Sequence, residues 1–408
     1  MSRQLSHHQS HASLLRDVSA GSVPSTRSRL DAIVVPAARA VPQSAIDLSA
    51  RLSVPLVILC SLQAKADNIA DRVNKTFGAQ ALVVQVDDSH QLLSSASQLT
   101  SHQRFKELSA GRSSDLSVKR NLGLRLARLR GWRKILFVDD DISQIRTPQV
   151  DRLVGYLDSH PVVSMASREF PDNSVVCHAR REAGFSQDVF VSGAVLGVNT
   201  QHPDFPYFPD VYNEDWFFFS RYAAQRSLAK IGEVRQDEYK PFADPLRAAR
   251  EEFGDLLAEG LYALFESTQG LSFSEQLAAA GHSHWQRFSE ARHEMITQTA
   301  EELEKLQATA DATKYRRGLQ ALESLRYAEK YLQQITPADC VEFIQRWRAD
   351  EHDWQYLMAR SATGLSERDA FDELGLAQPI RCGYGSSSGS RKRAPFQPKL
   401  RAAGLVGQ

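Results

Sequence analysis

The sequence predicts an α/β domain with a mainly parallel, Rossmann-like sheet, followed by a helical extension. Three observations lead there. Short apolar runs alternate with helical periodicity from Asp31 to about Gly232, polar residues collect just after those runs, and from Pro245 to Ser361 the pattern is almost wholly helical. The apolar runs are Ile33-Val34-Val35, Leu56 to Cys60, Leu82-Val83-Val84, Ile135 to Val138, Val162-Val163 and Val189 to Val198. Runs of this length read as buried strands. Ligands in such sheets sit beyond the carboxyl ends of the strands. The residues there are Pro36-Ala37-Ala38-Arg39, Ser61, Asp87-Asp88 and Asp139-Asp140-Asp141.

The strand from Ile135 to Val138 is preceded by Val118, Leu122, Leu126 and Leu129, one face of an α-helix, with Gly131 where a C-cap glycine belongs. Lys119 and Arg120 then fall in the first helical turn, the positive end of the helix dipole. An anion docked there would reverse the penalty; a solvated basic face is the plain alternative. In the acidic run, strand alternation puts Asp139 and Asp141 on one side and Asp140 on the other. Two carboxylates on one side call for a cation, and Mn2+ or Mg2+ held with phosphate oxygens is the natural one. An acidic turn capping the next element is the structural alternative.

In Asp210 to Phe219, Asn213 suits a helix N-cap, and Glu214 and Asp215 suit the first turn. Ser192 to Gly197 carries Gly193 and Gly197 in an apolar stretch, which suggests a bulge or a close approach. Beyond residue 244, Leu303, Leu306, Leu322 and Leu325 keep helical spacing, and Pro337-Ala338-Asp339 opens a further helix.

Composition bounds the function. Lys+Arg and Asp+Glu are equal at 49 each in 408 residues, so no overall charge recruits nucleic acid or a membrane surface. Cys60, Cys177, Cys340 and Cys382 are scattered, without the spacing of a zinc site or a disulfide framework, and Cys60 reads as a buried thiol. No run is long enough to cross a bilayer and no signal-peptide core opens the chain, so a cytoplasmic location is expected. Residues 1–30, rich in Ser, His and Arg, read as a disordered leader, and residues 383–408, with Arg391-Lys392-Arg393, as a flexible basic tail.

The stretch from Lys119 to Asp141 resembles the donor-binding segment of GT-A fold nucleotide-sugar glycosyltransferases, especially family 2, and the likeness extends over roughly residues 31 to 240. The resemblance implies a catalytic domain over residues 31–243 and a helical extension over 244–382 that covers the acceptor side or makes a homodimer contact. It implies metal-dependent transfer of a sugar from a nucleotide diphosphate donor to an acceptor hydroxyl. Asp141 would hold Mn2+ or Mg2+, with Asp139 at the metal shell or the ribose. Lys119, Arg120, Asn121 and Asp140 would lie beside the donor. Pro36, Ala37, Ala38, Arg39 and Ser61 would line the nucleotide, and Gly193 the sugar pocket. Asp87 or Asp88 would accept from a uracil N3–H, which favours a UDP-sugar. Asp215 would be the general base of an inverting reaction, with Glu214 second.

Two departures stand against the family pattern. The loop 36–39 lacks an acid or Asn, and no His falls within residues 234–242, so a third metal ligand stays open. A retaining glycosyltransferase, a haloacid dehalogenase-like phosphatase built on Asp139 to Ser143, a sugar nucleotidyltransferase and a non-catalytic interaction protein are the alternatives. No Walker loop and no Gly-x-Gly-x-x-Gly follows a strand.

Overall fold

The computed structural model describes residues 11–20, 29–87, 99–168, 174–186, 190–203, 205–308 and 311–383. Asp88 and the expected basic tail beyond Gly383 lie outside the described residues. One sheet is built from β1 (Leu15–Asp17), β2 (Ala32–Ala37), β3 (Leu56–Cys60), β4 (Ala81–Gln85), β5 (Lys134–Val138), β6 (Ile142–Gln144), β7 (Val162–Arg168), β8 (Val191–Asn199), β9 (Leu228–Gln236) and β10 (Ile380–Cys382). Its order is β1-β9-β7-β8-β5-β2-β3-β4-β10, with β6 beside β9.

The sheet is mixed, which corrects the expectation of a mainly parallel one. Five neighbouring pairs are parallel. Four are antiparallel among the described residues. The central departure is β8, antiparallel to both β5 and β7. Between β7 and β8 the helix is Val175–Glu182, eight residues long. The chain re-enters the sheet at the edge where β7 ends and runs back along it.

Strands β2 to β5 are buried on both faces, which explains their continuous apolar runs. Val34, Val57 and Phe137 enter one core, and Ile33, Val35, Ile58 and Leu136 enter the other. Helix Leu116–Arg130 ends at Gly131 in the left-handed conformation, as its pattern predicts. A Cβ at Gly123 would sit 2.8 Å from Val34 and 2.9 Å from Phe137. Only glycine lets this helix lie directly on β2 and β5, with its first turn over their carboxyl ends.

The helical extension shares that core. Phe253, Trp285, Phe343, Trp347 and Trp354 belong to the same cluster as Val34 and Phe137. In helix Leu246–Ser267, Gly254 packs against the Tyr212 backbone with no room for a side chain. Thr336 and Asp339 form a capping box with Pro337 in the first turn of helix Pro337–Arg360.

Both ends of the described chain also join the sheet. The expected leader is corrected in part: His11–Leu14 forms a 3-10 turn, and β1 adds in parallel to β9. Leu14 is fully buried, and His11 packs edge-on against Trp216 and Tyr262. A few anchoring side chains are enough to order a segment whose bulk composition is polar. At the other edge β10 pairs antiparallel with β4.

Excising residues 31–243 as a separate domain should therefore fail. We expect insoluble protein or no cooperative melt by circular dichroism, whereas residues 11–383 should melt cooperatively.

Candidate functional site

In chain order β2, β3 and β4 step outward to one side, and β5 returns to the other side of β2. The carboxyl ends of β2 and β5 therefore flank a topological switch point, where the following loops diverge into a crevice. Pro36 helps to open it. Ile33 donates toward β3, to Pro55 O. Alternation then aims position 36 at β5, where proline has no N–H to give. The β2–β5 ladder stops at Val34↔Phe137.

The residues expected at the site converge here. Asp140 Oδ2 accepts from the backbone N–H groups of Ala38 (2.8 Å), Arg39 (2.7 Å) and Ala40 (3.4 Å). The carboxylate fills the concavity that three successive amides make. Lys119 Nζ donates to Ala37 O at 2.9 Å and Ser61 Oγ at 2.8 Å, and pairs with Asp115 at 3.0 Å. All three of its protons are thereby used, and burial lowers its pKa against the pull of Asp115. The exposed Arg39 side chain reaches Asp141 Oδ2 at 2.9 Å. Gln236 Nε2 donates to the same oxygen at 3.2 Å.

Arg120 is the hub of the other lip. Its Nη2 donates to both oxygens of Asp139 at 3.0 Å, and its Nη1 to Glu214 Oε1 at 2.5 Å. Burial would lower the Arg120 pKa, but Asp139, Glu214 and Asp215 together raise it. Burial raises the Glu214 pKa against Arg120 and Arg112. Of the two cations at the start of this helix, Lys119 is answered by Asp115 at the helix's own N-cap and Arg120 by carboxylates from other elements. A Cβ at Gly193 would lie 2.7 Å from Arg120 Nη1, so the close approach expected at this glycine is made by a guanidinium.

Asp215 stands beside this hub. Its Oδ2 accepts from Gly193 N–H at 2.6 Å and its Oδ1 from Trp216 N–H at 2.9 Å. Asn213 holds the turn, but not as a side-chain cap: it is left-handed at φ 62°, and its Nδ2 donates to Asp255 Oδ1 at 2.8 Å. Asp255 belongs to a buried cluster in which Arg292 binds both oxygens of Glu252 at 2.7 and 2.9 Å and Asp255 Oδ2 at 2.7 Å. The helical extension thereby fixes the Glu214–Asp215 turn.

Other expected residues sit elsewhere. Asn121 brackets the Phe208 backbone, donating to its O at 2.8 Å and accepting from its N–H at 3.1 Å. Asp87 is exposed just past β4. Gln236, missed in the sequence, stands in the stretch without histidine; its only signal was nearness to the end of a late strand.

For a divalent cation the donor chemistry fits at Asp141, a hard carboxylate that pairs with the exposed Arg39. It fits poorly at Asp139, which Arg120 chelates with both oxygens. Among the described residues one three-residue group has metal-ligating spacing, Cys177, Asp255 and Glu259. Burial pushes the Cys177 thiol up to about 12, which makes it a poor metal ligand, and Asp255 already serves Arg292 and Asn213.

No protein family and no curated protein sequence matches the chain. A mannosyltransferase from Pyrobaculum calidifontis, solved in complex with GDP-mannose and Mn2+, aligns over 80% of this chain and 90% of its own at 11% identity and a TM-score of 0.33. That likeness is too distant to inform fold or chemistry.

Replacing Gly193 by Ala should displace Arg120 and cost about 1–3 kcal/mol, the usual range for overpacking, read by urea unfolding. Burial pushes the Glu252 carboxyl up to about 7 against Arg292. A raised carboxyl contributes stability that is fully present below its unfolded value, 4.5, and lost as pH rises through about 7. The stability of wild type relative to Glu252→Gln should therefore fall between pH 5 and pH 8. A constant or rising difference contradicts this.

Proposed function

We propose that this chain is a glycosyltransferase that moves a sugar from a nucleotide diphosphate, a UDP-sugar first, to an acceptor hydroxyl. The observation that carries the reading is the β2–β5 crevice. It has an acidic run on one lip, a Lys119-anchored loop on the other, and a positioned carboxylate, Asp215, alongside. Crevices of this kind are where open α/β sheets bind phosphorylated ligands.

The loop 37–40, held by Lys119 and Asp140, presents its backbone to the nucleoside. Asp87 lies on the same edge, available to a base N–H. Arg39, already poised over Asp141, swings its exposed guanidinium to a donor phosphate. Asp141 would hold the Mn2+ or Mg2+, which when bound neutralises charge on the diphosphate. Asp139, fixed by Arg120, accepts from a ribose or sugar hydroxyl.

Asp215 takes the acceptor proton. A sugar hydroxyl is a poor nucleophile until it loses that proton. The Gly193 and Trp216 amides fix the plane of the carboxylate. The acceptor oxygen bonds to the anomeric carbon, the bond from that carbon to the diphosphate oxygen breaks with its electron pair leaving on the diphosphate, and the proton ends on Asp215. The anomeric configuration inverts.

Melting the protein with UDP, GDP, ADP and CDP, each with and without Mn2+, tests the donor site, because a ligand of the folded state raises the midpoint by mass action. We expect the largest rise with UDP and Mn2+, and loss of its metal-dependent part in Asp141→Asn. Asp215→Asn should keep the nucleotide response and lose about 10²–10⁴-fold in kcat. No response to any nucleotide would sink the proposal.

A further inference from the structure

Beside the crevice, a leucine holds a backbone conformation that suits glycine. Leu62 follows β3 and sits at φ 49°. The left-handed region brings Cβ too close to the following carbonyl oxygen, so an L-residue enters it at a cost. Five residues other than glycine have positive φ among the described residues. Ser53, Ala110 and Arg226 close helices, where a left-handed residue is usual. Asn213 is of a type that tolerates the region, and Asp255 ties its side chain. Leu62 lies at no helix end: the next helix, Ala66–Asn74, takes Lys65 as its N-cap.

Packing does not offset the strain, because the Leu62 side chain is 57% exposed. A single exposed leucine needs no explanation. One that is also strained does, and such outliers cluster at active sites and ligand clamps, where the surroundings enforce them. Here the enforcement is visible. Ala64 N–H closes the turn on Ser61 O at 2.9 Å. Ser61 N–H donates to Ala37 O at 3.1 Å, and the Gln63 and Ala64 N–H groups to Ala38 O at 3.0 and 3.3 Å. Lys119 Nζ joins Ala37 O to Ser61 Oγ. Leu62 is thus fastened on both sides to the loop 37–40, whose backbone faces the nucleoside in the glycosyltransferase reading.

Its place along the rim agrees. β3 stands two strands from β5, roughly 9–10 Å away in the hydrogen-bonding direction. Asp141 follows β5, and the exposed Asp87 follows β4, the next strand beyond β3. A donor with its diphosphate at Asp141 and a base N–H at Asp87 has to cross Leu62.

From this geometry we infer that Leu62 is a platform for the donor's nucleobase: its side chain covers one face of the ring, and the edge of the base stays open to Asp87. Every base has such a face, so the contact adds affinity for a nucleotide without choosing among bases. The strain and the exposure of Leu62 stand by themselves; the platform rests on the nucleotide-donor reading.

The test compares wild type with Leu62→Gly and Leu62→Met. Glycine relieves the backbone and removes the apolar surface, whereas methionine keeps the strain and an apolar side chain. Each protein is melted without ligand, then titrated with UDP, GDP, ADP and CDP and with inorganic pyrophosphate, all with Mn2+. We expect Leu62→Gly to melt at or above the wild-type midpoint and to bind the preferred nucleotide about tenfold more weakly, the loss that goes with leaving the exposed half of a leucine uncovered. Pyrophosphate, which has no base, should bind both alike, and Leu62→Met should bind nucleotide as wild type does. A lower midpoint for Leu62→Gly makes Leu62 a packing residue and overturns the inference. Unchanged nucleotide binding in Leu62→Gly, an equal loss for nucleotide and pyrophosphate, or Leu62→Met binding as weakly as Leu62→Gly, also overturns it and leaves the donor site standing. No response of wild type to any nucleotide overturns the donor reading and the platform with it.

Discussion

The site depends on one buried guanidinium. Arg120 has almost no contact with water, and its charge is met by Asp139 from the end of β5 and Glu214 from the start of helix Glu214–Ala224. Removing an ion from water costs several kcal/mol, and only good geometry with further hydrogen bonds recovers it. That requirement ties four elements together: the helix carrying Arg120, the strand ending in Asp139, the turn holding Glu214, and β8, where glycine alone leaves room. Shifting any one of them leaves a charge buried and unmet. The acidic run and the Glu214–Asp215 turn therefore keep a fixed relation, although some 75 residues separate them in sequence.

The sheet makes the hub useful by gathering its chemistry at one edge. Strands β2, β3, β4, β5, β7 and β9 all end there, and antiparallel β8 begins there with Ser192 and Gly193. The β2–β5 crevice, Asp141 and Asp215 thus lie along a single rim. The helices behind it act at a distance. Arg292 holds Asp255, Asp255 holds Asn213, and Asn213 holds the left-handed turn that presents Glu214 and Asp215.

Much of this was legible in the sequence where a local rule applied. Val118, Leu122, Leu126 and Leu129 announced their helix and Gly131 its end; the apolar runs announced β2 to β5; the acids fell at the strand end. What stayed hidden depends on pairing across long separations. Nothing local distinguishes a strand that will run antiparallel, so the direction of β8 could not be read from its own residues. Strands β1 and β10, three residues each, are too short for a period of two to emerge. Lys119 finds Asp115 at its own helix's N-cap, but the carboxylates that meet Arg120 come from other elements, so its place at the wrong end of a helix looked like an invitation to a ligand.

The two short edge strands also set a timetable for the newborn chain. Leu15 pairs with Leu228, and Ile380 with Val83. Translation at roughly 5–20 residues per second leaves β1 waiting about 10–40 seconds for its partner to emerge, and β4 waits longer still for β10. Until then the growing sheet shows bare edges to its neighbours on the same message. The strand that completes the sheet is made long after the strand it pairs with, so this protein should lean on whatever shields nascent chains in its host more heavily than its content of helix would suggest.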